Sequence, residues 1–283
     1  MNAPRSVFPT TPPTPTSRKG LWLSVIAVVV VLAIAGVLVV VLNRGTTNPT
    51  TAPAATSATA TTPSPTSAAT GGAGFTGTTV DKLNKPVQLP ANPAGQILPQ
   101  TGKTPADTDG VPDGLMWQKI YDLPIVPFST SDGPTKIKDG VAQGWAHTPQ
   151  GAALAATSIL NTWLLAPDAA STVVQKTLLS GTEADIAART KTNRPLRMVG
   201  LTDPDLGPGA VAGVQVDTYT NNFARISYGA GPVVDDTNPD GFYQVSTLSV
   251  TWQDGTWKLI VTPTTPDRGE QRTTIAGMTP WTD

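Results

Sequence analysis

The run LSVTWQDGTWKLIV, Leu248–Val261, decides the fold class. Asp254-Gly255 is a strong two-residue hairpin turn, flanked on both sides by residues that alternate apolar and polar. It sets Trp252 opposite Trp257, Val250 opposite Leu259 and Leu248 opposite Val261. All six fall on one face, so register and burial agree. This stretch is an antiparallel hairpin with one buried side.

Working back from the hairpin, period-two alternation predicts further strands at Leu196–Leu201, Val211–Tyr219 and Phe223–Tyr228, with the hairpin arms running Tyr243–Trp252 and Trp257–Val261. Asp217 lies one position off the Val214/Val216 face and points to solvent, as does Tyr219. Tyr228 and Ile226 share the inward parity of their own strand. Before Pro195 the period is helical. Thr148 is a natural N-cap and Pro149 suits the first helical position, so a helix should run to about Leu165. Its apolar face recurs at Ala152, Ala156, Ile159 and Trp163. Asp168 opens a second helix to about Leu179, and Thr182 with Asp185 a third to about Lys191. Three helices followed by a curling antiparallel sheet make an α+β cone, residues 140–263, with the first helix wrapped by the sheet.

The flanks read differently. Leu21–Leu42 holds no charged residue. As a helix it spans about 33 Å, which matches a hydrocarbon core of roughly 30 Å. Arg5, Arg18 and Lys19 precede it and Arg44 alone follows closely, so the N-terminus belongs in the cytoplasm and the rest outside. Ala33-Ile34-Ala35 resembles a signal-peptide cleavage site, but the apolar run continues past it to Leu42, and an uncleaved anchor is the better reading. Residues 1–20 are a Pro/Thr-rich cytoplasmic tail. Residues 43–95 are a Thr/Pro/Ala/Ser-rich linker open to glycosylation, 96–139 an extended segment packing on the domain, and 264–283 a C-terminal tail.

Composition excludes several functions. With no Cys the chain has neither disulfides nor thiolate metal sites, and no lipoprotein anchor. From Gln96 onward 13 Lys and Arg stand against 19 Asp and Glu, a net −6, which argues against a nucleic-acid partner. The one basic cluster, Arg189, Lys191, Arg194 and Arg197, reads as solvated surface at a helix end. Phosphate loops, nucleotide fingerprints, HExxH and Gly-x-Ser-x-Gly are all missing. His147 is the only histidine, so any Ser/His/Asp triad would have to use it; beside a helix cap it reads instead as a hydrogen-bonding residue. Asp107, Asp109 and Asp113, and again Asp236, Asn238 and Asp240, are spaced like calcium loops. The second lacks the closing bidentate Glu, having Thr247 there, and both read as turns. No catalytic residue, cofactor or metal is expected. The aromatic side chains Trp145, Trp163, Tyr228, Trp252 and Trp257 are either core or the lining of a pocket.

Trp252-Gln253-Asp254-Gly255-Thr256-Trp257-Lys258-Leu259 resembles the terminal strand pair of the nuclear-transport-factor-2-like superfamily. Gly144–Ala156 (GWAHTPQGAALAA) is similar to an uncharacterised actinobacterial family of single-span envelope proteins, some of which are similar to conjugative-transfer (type IV secretion) assembly components. The resemblance covers about Asp139–Pro263 and brings no catalytic set with it. It implies a membrane-anchored extracytoplasmic protein that contacts other envelope proteins or itself. An extracytoplasmic small-molecule or cell-wall ligand module is the alternative, and an enzyme with polar groups inside the cone a third.

Overall fold

A computed structural model describes residues 73–193, 195–202, 209–235 and 238–281. The apolar run at Leu21–Leu42, the N-terminal tail and most of the linker lie outside these residues. No helix among the described residues is long and apolar enough to cross a membrane. The fold is α+β.

Its centre is helix α1, Pro149–Leu165, in which 16 of 17 residues are buried. A helix buried all round must be walled on several sides. One wall is a four-stranded sheet of β1 (Phe75–Val80), β2 (Pro86–Pro90), β3 (Met116–Lys119) and β4 (Ile125–Phe128), in that spatial order. On the β4 edge the Asn161 side-chain amide of α1 donates to the Ile125 carbonyl at 2.9 Å. After a small pair, β5 (Lys136–Lys138) and β6 (Val141–Gln143), the chain enters α1.

Helices α2 (Asp168–Thr177), α3 (Glu183–Asn193) and α4 (Pro195–Thr202) follow α1, with the short β7 (Leu179–Ser180) between α2 and α3. They close its C-terminal end, where helix carbonyls lack partners. Ser171 Oγ donates to the Trp163 carbonyl at 2.6 Å, and the Arg197 guanidinium donates to the Leu165 carbonyl.

The second wall is a larger sheet of β8 (Gly213–Thr220), β9 (Phe223–Asp235), β10 (Asn238–Gln253), β11 (Thr256–Ile260) and β13 (Thr279–Pro280), in the order β13-β8-β9-β10-β11-β7. A further strand, β12 (Asp267–Arg272), pairs with β10. Trp252 pairs with Trp257 and Val250 with Leu259, as the sequence required. The ladder stops at Ile260, so Leu248 and Val261 are both buried without being a cross-strand pair. Leu259 and Ile260 pair in parallel with Leu179 and Ser180.

Three expectations are corrected. Leu196–Leu201 is not a strand but most of α4. Short apolar runs fit either period, and here Pro195 occupies the first helical position while Leu196 and Gly200 turn inward together. Phe75–Val80 and Pro86–Pro90, within the stretch read as linker, are strands of the first sheet. In the stretch read as a C-terminal tail, β13 pairs with β8, and the Trp281 carbonyl accepts a 3.3 Å hydrogen bond from the Trp117 indole. One continuous core runs from Val87 to Trp281.

Candidate functional site

The loop Gly144–Thr148 joins the two walls at the head of α1. Thr148 is the N-cap, its hydroxyl accepting from the Gly151 amide at 2.9 Å. The same hydroxyl donates to Asp132 Oδ1 at 2.6 Å, and Ser131 Oγ donates to Asp132 Oδ2 at 2.6 Å. Asp132 is fully buried, and these two bonds have the length of charge-assisted hydroxyl–carboxylate contacts. The Ala146 amide donates to the Asp132 carbonyl at 3.0 Å, and the Ala146 carbonyl accepts from the Trp257 indole at 2.9 Å. A Cβ on Gly151 would lie 2.1 Å from that Ala146 oxygen, so only glycine allows the loop to fold back over the helix. Sequence reasoning identified Thr148 but not Asp132. Its only signal is a Ser/Thr-rich turn, residues 129–132, ahead of Gly133-Pro134.

Outward from this clasp stands an aromatic group. The exposed His147 ring stacks on Trp252 with centroids 4.0 Å apart and planes 5° from parallel. It also meets Trp257 edge-on at 5.5 Å. Trp252 and Trp257 meet edge-on at 5.1 Å, and Tyr219 lies 6.1 Å from Trp257. Tyr219 donates to the His147 carbonyl at 3.0 Å, and its partial burial raises its hydroxyl above the ordinary phenol value. His147 Nε2 bonds to the Asn221 carbonyl, which can only accept, so that nitrogen carries the proton. The histidine is held by a carbonyl and a ring, and neither of these partners is a carboxylate that could orient it as a general base.

The five aromatic residues singled out by sequence do not line one pocket. Trp252 and Trp257 come together on the hairpin. Tyr228 is fully buried and donates to the Ala153 carbonyl of α1 at 2.9 Å; burial pushes its hydroxyl far above the phenol range. Trp163 is fully buried near the other end of α1, its indole 3.2 Å from Thr190 Oγ1. Trp145 is buried in the clasp loop, and its indole N–H has no hydrogen-bond partner among the described residues. A cleft of about 380 Å³ lies elsewhere, where the described chain begins, between Ala73, Phe75 and Gln96–Pro99.

Of the two calcium-like loops, Asp236 lies outside the described residues. In the other, the Asp107 and Gly110 carbonyls accept from the Gln150 amide, and Asp113 Oδ2 accepts from the Lys103 amide. Among the described residues no three His, Cys, Asp or Glu side chains converge as a cation would need. A second buried carboxylate is structural: Asp81 accepts from the Leu83, Lys85 and Ala210 amides, tying the β1–β2 turn to the chain that enters β8. Lys85 donates to the Ala210 carbonyl at 3.1 Å. Its desolvation lowers its pKa, and the Asp81 charge partly opposes that shift.

Residues 79–280 match a family described as a domain of unknown function, DUF8175. The chain belongs to this family. The DUF8175 match runs from the end of β1 into β13, so it takes in both sheets and the helices between them. No curated protein and no solved structure matches the chain.

Proposed function

We propose that this is a membrane-anchored extracytoplasmic protein acting by protein–protein contact, an assembly or scaffold component of a secretion or conjugation-like envelope machine, and that it is not an enzyme. In this reading Leu21–Leu42 is the single membrane span, the N-terminus is cytoplasmic, and the domain stands outside on its linker. The order α1–α3 followed by β8–β11 supports a nuclear-transport-factor-2-like cone, to which the β1–β4 sheet is an addition.

One observation carries the contact role. The interior where a cone would hold a ligand is filled by α1 and by Trp163, Tyr228 and Trp257, whose polar atoms bond to the protein itself. What remains for recognition is surface. β1 is the outer strand of its sheet, and its six residues carry no charge, so it is suited to accept a strand from a partner or a second copy. The test is in-cell photocrosslinking from Thr76 and Thr78. Reproducible adducts with envelope proteins or with the chain itself support the role; a nonspecific smear from both positions sinks it.

The half-buried Trp252 and exposed His147 favour a second reading, a module that stacks a cell-wall sugar ring. Saturable glycan binding lost in Trp252→Ala would establish it in place of the first.

A further inference from the structure

Where the described chain begins, it stands in the wall of the cleft formed by Ala73, Phe75 and Gln96–Pro99. Both rims of this cleft are fixed by the domain itself. Gln118, fully buried, accepts from the Gln96 amide at 2.7 Å and donates to the Gln96 carbonyl at 2.8 Å, which holds one rim. The Gly74 carbonyl accepts from the Ala91 amide at 2.9 Å and holds the other. Phe75 and Ile97 are half-buried, Leu98 is buried and Pro99 is exposed. The lining side chains are apolar except for the Gln96 amide, and none is charged.

The path of the chain selects the occupant. Ala73 and Gly74 form a turn, with Gly74 in left-handed backbone at φ +97°, where a Cβ would lie 2.4 Å from Gln96 Oε1. This turn takes the preceding residues off the line of β1 and leaves them beside the cleft. From Thr46 to Gly72 the sequence is only Thr, Asn, Pro, Ala, Ser and Gly, uncharged like the cleft. Its bulkiest apolar side chains are prolines, and the two nearest Ala73 are Pro63 and Pro65. Pro-x-Pro favours the polyproline II helix, which keeps its carbonyls exposed and loses little entropy on entering an apolar, aromatic-walled groove. Phe75 supplies the aromatic wall. Gln96 Nε2 uses one hydrogen on the Ile97 carbonyl at 3.0 Å and keeps a second for such a main-chain carbonyl. The residues between Pro65 and Ala73 reach up to roughly 25 Å when extended, enough to reverse at Gly71-Gly72 and lay the prolines back on the domain. A volume of about 380 Å³ lies at the small end of ligand pockets and suits a short stretch of chain, not a folded partner.

We propose that Pro63-Ser64-Pro65 docks in this cleft, so that the end of the linker lies on the domain and shortens its tether. The proposal stands whether or not Leu21–Leu42 spans a membrane.

The chain has no cysteine, so disulfides form only where a pair is introduced. Two full-length variants are compared under mild oxidation, Ser64→Cys with Pro99→Cys and Ala58→Cys with Pro99→Cys. Their free tethers to Ala73 differ less than twofold in length, so an undocked linker closes the two at rates differing by about twofold. Docking makes closure from position 64 at least about tenfold faster, and Pro63→Ala with Pro65→Ala removes that advantage. A fluorophore on Ser64→Cys alone asks the same question with the domain unaltered. Its emission should lie to the blue of the same label on Ala58→Cys, and should return to the water-like value when both prolines are replaced. Closure rates differing by no more than about twofold, with water-like emission at both positions, overturn the proposal. Disulfide-linked dimers from position 64 that increase with protein concentration assign the cleft to the linker of a neighbouring copy, and overturn it too.

Discussion

Replacing Thr148 with alanine removes one hydroxyl that serves two partners. The Gly151 amide loses its cap, which typically costs about 1 kcal/mol. Asp132 loses one of its two side-chain donors while staying fully buried, and a hydrogen bond to a charged group contributes about 1.5–3 kcal/mol. Together Thr148→Ala should destabilise the domain by about 2.5–4 kcal/mol. For a domain of this size that is a fall in Tm of about 5–16 °C. The check is urea denaturation followed by tryptophan fluorescence, with Thr148→Ser alongside, because serine keeps both bonds and should stay within about 1 kcal/mol of the natural chain. A Thr148→Ala protein within about 0.5 kcal/mol of the natural one would refute the clasp as a source of stability. So would a serine variant as weak as the alanine one, since then the lost methyl would be responsible.

Three other outcomes follow from the packing around α1. Gly151→Ala drives a methyl group into the Ala146 carbonyl and should cost about 1–3 kcal/mol in the same denaturation assay, although alanine is the better helix former. Trp163→Ala empties a fully buried site and should cost about 3–5 kcal/mol. Alkaline stability reports Tyr228: its folded hydroxyl ionises far above the ordinary phenol value, so its contribution is intact below about pH 10 and falls by about 1.4 kcal/mol per pH unit above it, as only the unfolded chain releases the proton. Unfolding free energies measured from about pH 9 upward should fall at least that steeply, and Tyr228→Phe should lessen the slope, leaving the contribution of the partly buried Tyr219.

How much of this was readable from the chain depends on distance along it. The Asp254-Gly255 hairpin and the Thr148-Pro149 helix start are local devices, and both stand where sequence placed them. The first sheet was illegible because its strands are short, carry Pro86, Pro90 and Pro127, and depend on a pairing of Gln88 with Gln118 that no local pattern announces. Helix α4 was misread because Leu196, Met198 and Gly200 fit period two, while the bond that fixes the helix comes from Arg197 to the end of α1. At the candidate site the Trp252/Trp257 pair was legible from register. The stacking of His147 on Trp252 was not, because it joins the head of α1 to a hairpin far downstream.

The placement of α1 between two walls also sets an order in time. The β1–β4 wall is synthesised before the helix and the β8–β11 wall after it, so a growing chain that has reached Leu165 holds a strongly apolar helix with shelter on one side only. Its remaining contacts are distant in sequence, and such contacts form slowly. Until β8–β11 arrive, that apolar surface is open to other chains and to chaperones. The stitch from Trp117 to the Trp281 carbonyl waits until the chain has passed β13. This is a molecule whose central helix must be kept from aggregating until its second wall has been made.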